Sequence, residues 1–433
     1  MIRHGGRSLR GRRLPIFHQS ASKEFRLNQV ELDLPVPRKY QDDILKNLYW
    51  VESGLTNIRF TPGNERLLQY TYQGPETPEV VGIRLKDAAH RLSRSLSLFP
   101  SKTVYESPAR TVPGCRVPYE ELVRRGWVKP TSDGCHIYTG RMSDLYHALD
   151  IQFRILALQM GVEECKFPTL ISLVTLARSG YLEGFPHNAN FVCHLPEQAE
   201  IVEKFKADAK KTNGLPEMSL DAVFARPSHA LSPTVCYHYY NSNENQRLTG
   251  KIIGATALSP CYRCEGKATV GLRRLREFNM REIMFIGTPE EVLLRRQLLL
   301  DIQQKMLDFC QLQSIIQTAS DPFFIDTYDK KRIFQLSFDL KHEVQAYLPD
   351  DDVWLAIGSV NYHQDHFGKA FGITLPSGET AHSCCLGFGL DRWCMAIFAQ
   401  YGLELQQWPE PLQLLVISYS DTKSQLNRSA NIP

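Results

Sequence analysis

The chain has 433 residues, 43% of them hydrophobic and 22% charged, with a formal net charge of +3. That balance excludes a low-complexity protein and supplies apolar material for two or three domains, while near-neutrality excludes binding to nucleic acid through a global basic excess, so that any anion must be met by local charge. No apolar run reaches the roughly 20 residues of a membrane-spanning helix, and eleven cysteines scattered along the chain argue for thiols that are free or on metal, in a cytoplasmic protein, rather than for a disulfide framework.

The segment 1–22 is Arg-rich and begins MIRHGGRSLRGRRL; it reads as a disordered basic tail or an over-long start rather than a transit peptide, because Gly5 and Gly6 interrupt it and no apolar stripe runs through it. Residues 23–106 follow a β-α-β-β-α order: an alternating stretch from Phe25 to Leu34, Pro37 and a helix to about Trp50, strands near Thr56–Thr61 and Leu67–Tyr72, and a helix from Glu79 to Leu98. This order predicts a small α+β domain whose role the residues do not specify. A Pro- and Gly-bearing linker, SPARTVPGCRVP, spans 107–118.

From 119 to 410 long amphipathic helices alternate with strands. Leu145, Leu149, Phe153, Leu156 and Met160 recur at helical spacing, which predicts a core-facing helix over Ser143–Met160. The stretch 258–287, LSPCYRCEGKATVGLRRLREFNMREIMFIG, reads as strand, polar loop, strand, an antiparallel hairpin presenting arginines. Thr288-Pro-Glu-Glu291 is a capping box with proline at the first helical position, opening a helix to about Leu312. Residues 411–433 read as a C-terminal strand and tail.

The chemistry-bearing residues admit two readings each. The single Cys261-x-x-Cys264 has no second pair nearby, and Cys384 and Cys385 are adjacent; the cysteines are either inert and buried or contribute to an open, catalytic-type metal site with three ligands from distant segments. Neither a Gly-x-x-x-x-Gly-Lys loop nor Gly-x-Gly-x-x-Gly is present. In GFGLDRW, 387–393, Arg392 at a helix start either meets phosphate oxygens bidentately or forms a surface pair with Asp391.

Taken together, Arg263-Cys-Glu265, Phe278 and Gly387-Phe-Gly-Leu-Asp-Arg392 resemble motifs 2 and 3 of class II aminoacyl-tRNA synthetases, and CKFPTLISLVTLARSGYLEGFPH, with Pro168, resembles motif 1. The phrases YLEGFPH, LSPTVCYHYY, CYRCE, DPFF, NYHQDHFG and AHSCCLGFGLDRW extend this over about 119–405. There the chain is similar to the amino acid:[carrier protein] ligases, homologues of the catalytic core of zinc-dependent archaeal-type seryl-tRNA synthetases. The resemblance implies an α+β fold with a class II synthetase-type antiparallel sheet flanked by helices, preceded by the small α+β domain.

The resemblance also implies a site. Zinc falls to Cys193, Glu265 and Cys385, with Cys384 the alternative if the assignment shifts by one. ATP falls to Arg263 on the α-phosphate, Arg392 on the γ-phosphate, Phe278 under adenine and Arg281, with Arg263 and Arg392 as the catalytic pair. Asn361, His363 and Asp365 are candidates for the amino-acid pocket, or else part of a packed strand edge. Magnesium accompanies the triphosphate; an acid expected beside it is Ala356 here. The implied activity is ATP-dependent activation of a small amino acid and transfer to the phosphopantetheine thiol of a carrier protein by a homodimer. The alternative is a seryl-type tRNA synthetase, disfavoured by a small N-terminal segment and weak net charge. Arg273, Arg274 and Arg276 face either ATP or the phosphate of a pantetheine arm.

Overall fold

The structure is a computed structural model that describes residues 26–98, 101–110, 112, 114, 118–212, 224–265, 269–319, 340–350 and 352–429. The basic tail at 1–22 and the DPFF phrase at 321–324 lie outside them. The chain divides into two compact units with the boundary between Ser93 and Arg94.

In the first unit β1 (Asn28–Glu31), β2 (Leu55–Thr61) and β3 (Asn64–Tyr72) form an antiparallel sheet in the order β1-β3-β2. The helix Arg38–Leu48 and the long helix that begins at Pro78 accompany it. Ile44, Leu48, Leu68, Leu85 and Ala89 are fully buried, at spacings that place them on one helix stripe or one strand face. The β-α-β-β-α order expected for this region is the order found.

The second unit contains β4 (Thr103–Glu106), β5 (Val128–Ser132), β6 (Cys135–Tyr138), β7 (Glu163–Glu164), β8 (Leu170–Ser172), β9 (Asn190–Val192), β10 (His229–Leu231), β11 (Ile252–Tyr262), β12 (Glu277–Gly287), β13 (Ser314–Thr318), β14 (Lys341–Leu348), β15 (Val353–Gln364) and β16 (His382–Gly389). Eight of these make one sheet in the order β4-β13-β14-β15-β16-β12-β11-β7. It is antiparallel except where β7 runs parallel to β11, so the expected α+β class holds with a mixed rather than purely antiparallel sheet.

Two expected boundaries move. β4, assigned by sequence to the small domain ending at 106, pairs with β13 and sets Tyr105 opposite Ile316 at the edge of the large sheet. Residues 410–429 form a helix rather than a strand. The apolar run around Leu414-Leu415-Val416-Ile417 suits either element by itself, but Leu412 and Val416, four apart, are buried while Leu414 and Ile417 are exposed, and Lys423 reaches Asp144 of the helix Gly140–Gln159 at 2.8 Å.

One face of the large sheet is covered by the helices Gly140–Gln159, Pro289–Phe309 and Leu390–Tyr401. Phe153 stacks on Phe388 with ring centroids 3.9 Å apart, and Trp393 meets Phe153 edge-on. Thr288 accepts from the Glu291 backbone N–H at 3.3 Å ahead of Pro289, as the capping sequence predicts. The opposite face carries smaller apolar clusters, among them Met284, Ile286 and Phe371, with Glu282 between them.

Candidate active site

The hairpin β11–β12 is paired without a break from Ile252–Gly287 to Tyr262–Glu277. Along β12 the two-residue period divides the side chains. Arg281, Ile283 and Phe285 point to the helix-covered face; Phe278, Met280, Glu282 and Met284 point to the other. Arg281 therefore turns away from the face that carries Glu282. Its guanidinium makes a two-pronged pair with Asp150 of the helix Gly140–Gln159, at 2.6 and 3.0 Å, and its side chain is 4% exposed. The expected role of Arg281 on ATP does not match this placement, because both prongs of the fork are already taken under the sheet.

Cys236, Glu282 and Cys385 bring one donor atom each to within 4.8 Å of one another, and all three are buried. β16 lies beside β12 with Met284 opposite Cys385, which brings Cys385 close to Glu282, while Cys236 opens the short helix Cys236–Ser242 above them. Glu282 Oε1 accepts from the Thr234 hydroxyl at 2.8 Å and the Val235 N–H at 3.3 Å. Its Oε2 is buried with no partner among the described residues. Burial, and then the negative charge on Cys385, push the Glu282 carboxyl up to about 8. The Cys385 thiol is held well below its usual range by the Cys236 S–H, with His363 and Asn361 adding to the effect; burial pushes Cys236 up.

Two thiols and one carboxylate, whose second oxygen is the orphaned one, are a donor set that could hold a metal ion such as zinc with one position left open. Tetrahedral zinc–sulfur and zinc–oxygen bonds of about 2.3 and 2.1 Å set ligand atoms about 3.6–3.8 Å apart, which this cluster accommodates. Among the described residues it is the one group of three such donors. The expected trio differs in two members. Cys193 is exposed at the end of β9, and Glu265 pairs with Arg274 at 3.7 Å, so of the three only Cys385 lies in the cluster. Cys384, the neighbour of Cys385, faces the opposite side of the sheet by the strand period and donates to the Val292 carbonyl at 3.6 Å.

Toward the hairpin tip the same face becomes cationic. The Arg263 guanidinium lies over Phe278, 5.2 Å from the ring centroid, and its Nε donates to the Pro233 carbonyl at 3.2 Å. Arg392, first turn of the helix Leu390–Tyr401, donates to the Ala356 carbonyl at 2.9 Å. Burial lowers its guanidinium to about 10; Glu265 and Glu343 counteract this and Arg274 and Arg263 add to it. Three arginines and two carboxylates thus share one space. Asp391 ties its parts together, accepting from the Tyr138 hydroxyl at 2.5 Å and the Asn279 N–H at 2.8 Å. The turn between β5 and β6 braces the loop between the hairpin strands: Asp133 accepts from Thr269 and Arg276, and the Gly134 carbonyl accepts from the Arg276 N–H at 3.0 Å. Gly134 has φ of +69°, and a Cβ there would lie 2.7 Å from that nitrogen, so glycine suits both the turn and the close approach.

Of the expected amino-acid pocket, two residues reach the cluster. Asn361 Nδ2 lies 3.6 Å from Cys385 Sγ, and His363 Nε2 lies 3.7 Å from it. His363 Nδ1 contacts the Ser383 hydroxyl at 3.1 Å and the Tyr240 hydroxyl at 3.3 Å, and its ring meets Phe367 edge-on. Asp365 instead pairs with Lys369 at 2.6 Å. The sequence reading missed Cys236 and Glu282. Its available signal was a glutamate inside the apolar run MREIMFIG, where a buried carboxylate needs a partner.

No family model matches the chain. It is 28% identical over 417 residues to the type-2 serine–tRNA ligase of Methanopyrus kandleri, an alignment covering 91% of this chain and 79% of that protein. It spans 64% and 58% of two Methanococcus enzymes of that name. It is 32% identical over 309 residues to amino acid–[acyl-carrier-protein] ligase 1 of Bradyrhizobium diazoefficiens, covering 69% of this chain and 90% of the relative. Among solved structures, the M. kandleri seryl-tRNA synthetase in complex with Aquifex aeolicus tRNASec superposes with a TM-score of 0.67 at 26% identity, over 90% of this chain and 77% of that one.

Proposed function

We infer the function from one premise: the chain belongs to the class II synthetase family that contains the type-2 serine–tRNA ligases and the amino acid–[acyl-carrier-protein] ligases. On that premise it is a ligase that activates a small amino acid with ATP and passes the acyl group to the phosphopantetheine thiol of a carrier protein, working as a homodimer. The supporting observation is that a metal-type donor set and Arg263 stacked over Phe278 lie on one face of one sheet, joined by β12.

Cys236, Glu282 and Cys385 would hold the zinc, which when bound would supply an open Lewis-acid position suited to a neutral α-amine. Arg263 holds the carboxylate and the α-phosphate together, Phe278 carries the adenine, and Arg392 takes the γ-phosphate with magnesium. A carboxylate oxygen attacks the α-phosphorus as the bond to pyrophosphate breaks, and the arginines meet the charge that develops. The carrier's thiol then attacks the acyl carbon and AMP leaves. His363 and Asn361, against Cys385, limit the room for the side chain, which favours a small amino acid.

The carrier-protein acceptor is supported by 32% identity along 90% of the relative of that activity. A second reading, transfer to tRNA, is supported by an alignment with a type-2 serine–tRNA ligase that takes in 91% of this chain. Pyrophosphate exchange with each amino acid, followed by transfer to holo carrier protein and to tRNA, decides between them. A zinc-loaded protein that exchanges pyrophosphate with none of the amino acids would falsify both.

A further inference from the structure

Tyr181 opens the short helix Tyr181–Gly184 directly after Gly180. Its ring is wedged between Phe185 and Tyr237, with centroids 5.6 and 6.0 Å away, and the residue is 6% exposed. Its hydroxyl has no hydrogen-bond partner among the described residues. Four of the six other buried tyrosines, at 70, 240, 362 and 401, place their hydroxyls on a carbonyl or an imidazole. A buried hydroxyl without a partner is costly unless something else completes it.

What lies beside this hydroxyl points to what completes it. The Cys264 N–H donates to the Asn188 carbonyl at 2.9 Å, joining the segment that carries Arg263 and Glu265 to the segment that follows Tyr181. Burial pushes the Tyr181 hydroxyl up to about 12, and the charges that bear on it most are those of Arg263 and Glu265. It is therefore a protonated donor on a segment that the Cys264–Asn188 bond ties to the strand end carrying Arg263.

We propose that Tyr181 is a substrate-contacting residue whose hydroxyl donates a hydrogen bond to a carboxylate oxygen of the amino acid held by Arg263. The inference rests on the activation reading above and adds to it a second donor for the reacting group. No covalent bond to Tyr181 is made or broken.

The test is Tyr181→Phe in the full, metal-loaded chain, which keeps the ring and deletes only the unpartnered oxygen. A hydrogen bond to a charged group is worth enough to raise the amino-acid KM in pyrophosphate exchange by about tenfold or more, with the ATP KM unchanged. Thermal unfolding without substrate is expected at the same temperature as wild type or higher, because the removed group satisfies nothing in the protein. A lowered Tm would assign the hydroxyl a structural partner and overturn the proposal. So would an amino-acid KM within about twofold of an active wild type. A wild type inert with every amino acid overturns the activation reading and this inference together, a result distinct from failure of Tyr181 alone.

Discussion

The two ends of the site carry their charge in different ways. At the hairpin tip, Arg263, Arg274 and Arg392 stay cationic with or without a ligand, and carboxylates at Glu265 and Glu343 stand near them. Four residues along β12, Glu282 and its two cysteines are buried and titratable, and without a cation Glu282 and Cys236 retain protons while the Cys385 thiol is held low. The tip is ready for an anion as folded. The cluster is completed only when a cation displaces those protons.

The sharpest way to break this comparison is Cys385→Ser, which is expected to abolish stoichiometric zinc and pyrophosphate exchange together, whereas Cys193→Ser leaves both intact; metal analysis on the purified variants reads the outcome. Next is Asp150→Ala. It strands the buried Arg281 and is expected to cost about 3–5 kcal/mol of stability with little change in the ATP KM, measured by denaturant unfolding and steady-state kinetics. A raised ATP KM at full stability would instead restore Arg281 to the nucleotide site. Arg263→Ala is expected to lower kcat by roughly 100- to 1000-fold while zinc content stays at wild type, since the tip does not depend on the cluster.

The smallest effect is in pH. Metal binds the deprotonated donors, and the Glu282 carboxyl, raised to about 8, is protonated below that value, as is Cys236, whose thiol is raised too. Zinc uptake near neutrality therefore releases protons, and apparent affinity falls as pH drops below about 8, by on the order of tenfold per pH unit for each proton released. Chelator competition across pH 6–8 measures the slope. A flat profile would show that the cluster is deprotonated before the metal arrives.

Local patterns were legible in the sequence where one element suffices to set them. The period-two hairpin, the Thr288 cap and the β-α-β-β-α order of the first unit all follow from neighbouring residues. The cluster was not, because its donors sit 46 and 103 residues apart and meet only through the β11-β12-β16 pairing. Glu265 resembled a ligand through its Arg-x-Glu context; Glu282 was hidden in the apolar second strand of the hairpin. Arg281 shows the opposite limit. Next to Glu282 in the chain, it belongs to the other side of the sheet by strand parity alone. The C-terminal helix was misread because a short apolar run fits both periods until its packing partner is known.

β12 also works as a gauge. Phe278 and Glu282 lie on one face, four residues apart, and a strand rising about 3.4 Å per residue separates them by about 14 Å. That interval is held by an unbroken ladder on the β11 side, joined from Met280 onward by one on the β16 side, and cannot stretch with a loop. A ligand that spans both ends is thus selected by length as well as by charge. Deleting one residue between them would shorten the interval and turn one end to the wrong side of the sheet.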